Sequence, residues 1–147
     1  YGSSAASDVY KRQGEASGPM VGGNLSLVAS LLGTSYETVF DKSILILEDV
    51  DEPPYSIDRM LTSLRLAGVF ERIAGLVLGK FTDYDSKGPT LSLEEVFQDR
   101  CGDLNVPVLR GLMIGHVPDQ TVVPLGAIGK LDSKNQTLKI TSPFLSD

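Results

Sequence analysis

Three short apolar runs limit what this chain can fold into: residues 43–47 (SILIL), 75–81 (GLVLGKF) and 106–109 (VPVL). Each is apolar at nearly every position, so both of its faces must be buried, and each is too short for a helix. They read as strands in a sheet covered on both sides. The segments between them carry helical spacing. Leu25, Val28, Ala29 and Leu32 fall at i, i+3, i+4 and i+7, with Asn24 as N-cap and Gly33 as a left-handed stop. Pro53 and Pro54 open a second helix, striped by Ile57, Met60, Leu61 and Leu64 and closed by Gly68. VFERI adds one helical turn. Ser92 and Glu95 form a capping box, flanked by Leu91 and Val96 as a staple, on a helix running to about Arg100.

The segment GAIGKLDSKNQTLKIT closes the pattern as two strands joined by a polar turn at residues 133–136. Alternating strands and helices predict an α/β fold. The expected form is a layered domain with a mainly parallel central sheet, flanking helices and a C-terminal β-hairpin, of the swivelling β/β/α kind.

Composition narrows the function. The 147 residues, 41% of them hydrophobic, suit one domain with a real core. A net charge of −6 with scattered basic residues gives no footprint for nucleic acid. The longest apolar runs fall far below the roughly 18–20 residues needed to span a bilayer, so no membrane segment is expected. Cys101 is the only cysteine and cannot form an internal disulfide, and no Cys/His cluster has metal-ligand spacing.

Residues 1–13 stand apart. They are small, polar and aperiodic, and DVYKRQ resembles the in-frame translation of a transposon-type sequencing adaptor. On that reading 1–13 is a non-native tail, the domain is 14–147, and the gene is cut off upstream.

In sheets of this kind functional groups gather beyond the carboxyl ends of the strands. Glu48 and Asp49 end the first apolar strand, and His116, the only histidine, follows the third by six or seven residues. A carboxylate beside an imidazole fixes its tautomer and stabilises the imidazolium that forms when it takes a proton. That is two-thirds of a triad. The nucleophile is missing, because no G-x-S-x-G elbow is present, Ser17, Ser26 and Ser30 lack activating context, and Cys101 sits late in a helix as a buried spectator. GPMVGGN lacks both the lysine and the spacing of a phosphate-cradling loop. The residues alone leave two readings open: a catalytic pair, or a structural histidine near acids that serve the next helix dipole.

Four strings in order, GGNL (22–25), ILEDVDEPPYSIDRML (46–61), AGLVLGKF (74–81) and GHVPDQTVVPLGA (115–127), resemble the C-terminal domain of LD-carboxypeptidases. These serine peptidases also include the microcin-immunity peptidases. The resemblance covers about Gly18 to Ser142. It implies removal of the terminal D-amino acid from murein tetrapeptide in cytoplasmic cell-wall recycling, with a Ser-Glu-His triad and no metal or cofactor. By motif the glutamate is Glu48 and the histidine His116; the serine and oxyanion hole belong to an N-terminal domain absent from this chain. Asp49 would face away from Glu48 on a strand, and Glu52 and Tyr55 are near enough in sequence to line a substrate cleft.

The implied partners are a murein peptide and the missing catalytic domain, without nucleic acid or membrane. The fragment is expected to be inert alone, and an apolar patch left by the missing domain would favour self-association as a homodimer. The alternatives are a microcin-immunity peptidase, a non-catalytic α/β module binding an anion at Gly22 and Gly23, and a homologue without chemistry.

Overall fold

The sheet is built outward from its most apolar strands. In this computed structural model, which describes residues 13–84 and 90–141, β2 (Ile44–Val50) and β3 (Gly75–Thr82) lie side by side and parallel. β4 (Val108–Arg110) extends the parallel set beyond β3, and β1 (Glu15–Asn24) lies on the other side of β2. β5 (Ile128–Asp132) runs antiparallel to β1 and pairs with β6 (Thr137–Ile140), giving the order β4-β3-β2-β1-β5-β6. The mainly parallel sheet with a closing hairpin is therefore as expected. Residues 1–12, nearly all of the expected tail, lie outside the described residues, as do 85–89 and 142–147.

Among the described residues, four helices cover one face: α1 (Leu25–Ser30), α2 (Pro54–Leu66), α3 (Val69–Arg72) and α4 (Leu93–Cys101). Leu45 and Leu47 of β2 and Leu76 and Leu78 of β3 point into this layer and meet Ile57, Leu61, Leu64, Val96 and Phe97. The expected capping box of α4 is present, with Ser92 Oγ accepting from Glu95 N and Glu95 Oε2 accepting from Ser92 N.

The alternate residues Ile44, Ile46 and Val77 face the other way, into a second core with Met20, Leu109, Leu131 and Leu138. Among the described residues, no helix covers that side. The segment 111–127, running from β4 to β5, lays Leu112, Ile114, Val123 and Ala127 across it. This segment carries His116.

β1 is the element the sequence does not announce. Its ten residues include Gly18, Pro19, Gly22 and Gly23, which read as a loop and helix entry rather than a strand. The glycines answer to close approach. A Cβ at Gly18 would lie 2.2 Å from Lys42 O, and one at Gly22 would lie 2.2 Å from Ile46 O. The third apolar strand is also shifted, to Val108–Arg110, although Pro107 O still accepts from Leu76 N at 3.0 Å.

Candidate active site

Glu48 stands at the carboxyl end of β2, where the ladder to β3 is interrupted. Leu47 pairs with Leu78 and Asp49 with Phe81, so Glu48 faces a bulge made by Gly79 and Lys80. The segment after β4 folds back over that bulge, with Lys80 N donating to Ile114 O at 2.7 Å. Gly79 permits the crossing, since a Cβ there would lie 2.6 Å from Ile114 O.

Gly115 is the second requirement. Its φ is +122°, and a Cβ would lie 3.0 Å from Glu48 Oε2 and 3.1 Å from Lys80 O. Only glycine lets the backbone press this closely against the carboxylate. The next residue then falls into place: His116 Nδ1 is 3.0 Å from Glu48 Oε2. Thr82 Oγ1 donates to His116 O at 3.3 Å, tying the loop to the end of β3.

The two partners differ in exposure. The Glu48 side chain is 10% exposed and the His116 side chain 59%. With a carboxylate accepting at Nδ1, the neutral ring carries its proton there and offers Nε2 as the acceptor. The ring sits in the wall of an open cavity of about 560 Å³, lined by Gly23, Ile46, Glu48, Ile114 to Pro118, Gln120, Val123 and Leu125. That lining is mostly apolar and, among the described residues, contains no serine, threonine or cysteine.

The other candidates lie elsewhere. Asp49 faces the helical layer, opposite Glu48, and is 3% exposed. Glu52 accepts from Ser26 Oγ at 3.3 Å, and Tyr55 is 64% exposed in the first turn of α2; neither lines the cavity. Gly22 pairs with Ile46 within the β1–β2 ladder. Among the described residues, no group of three or more His, Cys, Asp or Glu could hold a metal ion, and no helix is long and apolar enough to cross a membrane. The sequence signals the roles of Gly79 and Gly115 only weakly, by a glycine within a strand and one just before the histidine.

Cys101 is fully buried in the helical layer, and burial pushes its thiol up to about 12. Little thiolate exists at neutral pH, and the thiolate is the nucleophile. The folded chain is expected to resist a thiol reagent at pH 8 and to react once denaturant is added. Because the folded value lies above the unfolded one, stability from this burial is complete below about 9 and declines as pH rises toward 12. Rapid labelling of the native chain would contradict this packing.

Comparison with known proteins places the chain. Residues 17–131 match the family model described as the LD-carboxypeptidase C-terminal domain. The probable murein peptide carboxypeptidase of Bacillus subtilis is 40% identical over 129 residues, covering 86% of this chain and 40% of that protein. A crystal structure of muramoyltetrapeptide carboxypeptidase from Oxalobacter formigenes superposes with a TM-score of 0.79 at 29% identity, over 87% of this chain and 45% of that one. The microcin C7 self-immunity protein MccF of Escherichia coli is 28% identical over 134 residues, 90% of this chain and 39% of that protein. A structure of MccF with glutamyl sulfamoyl guanosine superposes with a TM-score of 0.82 at 27% identity, over 94% of this chain and 42% of that one. The chain thus spans under half the length of each of these relatives. With the family model covering most of the chain and the sheet superposing on solved relatives, this chain belongs to the LD-carboxypeptidase C-terminal domain family.

Proposed function

We propose that this domain supplies the base and its orienting carboxylate to a serine-type carboxypeptidase that removes the terminal D-amino acid from murein tetrapeptide in the cytoplasm. The observation that carries the reading is the 3.0 Å contact between His116 Nδ1 and Glu48 Oε2 in the wall of an open cleft. Glu48 holds the ring with Nε2 directed outward. His116 takes the proton from a serine hydroxyl as that oxygen attacks the scissile carbonyl carbon, then gives the proton to the departing amine. The acyl-enzyme is released by water through the same base. Among the described residues no serine, threonine or cysteine lines the cavity, which suits a nucleophile and oxyanion hole supplied, as the family resemblance implies, by another part of the enzyme. The apolar wall of Ile114, Val123 and Leu125 suits a residue with a small apolar side chain.

A second reading, hydrolysis of a microcin-like aminoacyl nucleotide, draws on the likeness to MccF. The higher identity to the murein peptide relative favours the first.

The test is D-alanine release from murein tetrapeptide, run in parallel with an aminoacyl sulfamoyl nucleotide. An enzyme joining this domain to its nucleophile-bearing part is expected to prefer the tetrapeptide, and the 147-residue chain alone to release nothing. Release by the chain alone would place the nucleophile within it and overturn the division of roles.

A further inference from the structure

Asp49 is buried, and both of its carboxylate oxygens accept hydrogen bonds. Its Oδ1 accepts from Asn24 Nδ2 at 2.9 Å and from Val50 N at 2.8 Å. Its Oδ2 accepts from Ser26 N at 2.9 Å and from Ser26 Oγ at 2.7 Å. Four donors converge on one carboxylate, and three of them belong to the junction between β1 and α1.

That junction matters because of what Glu48 lacks. On the β3 side the register skips Glu48 at the bulge, so no regular pairing holds it there. On the β1 side Glu48 pairs with Asn24, the last pair of that ladder. Asn24 is held in turn, its Oδ1 capping Leu27 N and its Nδ2 bound to Asp49. The side chain that follows Glu48 therefore fastens the strand with which Glu48 itself is paired.

We infer that Asp49 is a positioning residue that holds Glu48 in reach of His116 by clamping the end of β1 to β2. The inference rests on the catalytic reading of Glu48 and His116. The chemistry requires a carboxylate. An asparagine keeps one acceptor oxygen, and its amide nitrogen would be turned toward two of the four donors. Asp49→Asn is thus a nearly isosteric change that breaks the clamp without opening a cavity.

The tautomer of His116 reports the result, since the hydrogen bond at one ring nitrogen decides which nitrogen carries the proton. The full 147-residue chain, labelled with ¹⁵N at histidine, is examined by NMR at alkaline pH. The wild type is expected to show two well-separated ring nitrogen shifts, with the proton on Nδ1. Glu48→Ala should collapse that separation. Asp49→Asn should reduce it by about half or more, while thermal unfolding remains cooperative. Ser26→Ala, which removes a single donor, should give a smaller change of the same sign and serves if Asp49→Asn does not fold.

A wild-type separation in Asp49→Asn, or in Ser26→Ala where that variant must serve, overturns the inference and leaves the Glu48–His116 pair standing. No response to Glu48→Ala, or a wild type with the proton on Nε2, removes the pair itself and the inference with it. A merely structural role for Asp49 would lower the unfolding temperature and leave the tautomer unmoved, which also counts against the inference.

Discussion

His116→Ala, placed in an enzyme that joins this domain to its nucleophile, is expected to lower kcat for tetrapeptide cleavage by about 10⁴- to 10⁶-fold. The serine hydroxyl then has no base, and only binding and the oxyanion hole remain to accelerate the reaction. Glu48→Gln should cost less, about 10²- to 10⁴-fold, because the amide keeps the shape of the carboxylate but neither selects the tautomer nor stabilises the imidazolium. KM should change little in both, since neither group is asked to bind the substrate before the reaction begins. The double variant should be hardly worse than His116→Ala, because the carboxylate acts only through the ring. Steady-state release of D-alanine, with circular dichroism to establish folding, checks all three. A Glu48→Gln variant within about threefold of wild type would show that the contact at 3.0 Å is structural.

The parts legible in the sequence are those whose burial is written locally. Leu45 and Leu47 face one core while Ile44 and Ile46 face the other, so β2 has to be apolar throughout. The α2 stripe and the Ser92–Glu95 box of α4 are likewise short-range patterns. From these alone the α/β class follows. Asp49 facing away from Glu48 follows from the twofold period of a strand.

β1 escaped because its constraint is not local. Gly18 and Gly22 are there to admit the carbonyls of Lys42 and Ile46, which belong to segments further along the chain. Pairing between Glu48 and His116 spans 68 positions and obeys no period. The rule that groups gather at strand ends brings the two to one edge, and the four ordered motifs single them out. Neither indicates the bulge at Gly79 and Lys80, or that segment 111–127 roofs a sheet face without a helix. Ile114 and Val123 are too irregularly spaced to show which side they cover. Proximity in sequence does not by itself bring a residue into the described cavity: Glu52 is four residues from Glu48 but beyond a turn at Asp51, whose φ is +59°, and is not in its lining.

Gly22→Ala should be far more damaging than Gly23→Ala, although the two glycines are adjacent and both have positive φ, +113° and +127°. A Cβ at Gly22 would lie 2.2 Å from Ile46 O and 3.0 Å from Leu45 Cδ1, whereas one at Gly23 meets nothing within 4 Å. Gly23→Ala thus adds only backbone strain, about 1–2 kcal/mol. Gly22→Ala adds the same strain and also drives β1 off β2, for a total of about 3 kcal/mol or more. Chemical denaturation measures both, and the difference should appear as a Gly22→Ala melting point lower than that of Gly23→Ala by several degrees. The comparison also separates two accounts of the glycine pair. If these residues cradled an anion, both substitutions would weaken phosphate binding while costing similar stability. If Gly22 is there so that β1 can pack against the strand that carries Glu48, only the first substitution is severe, and added phosphate protects neither variant.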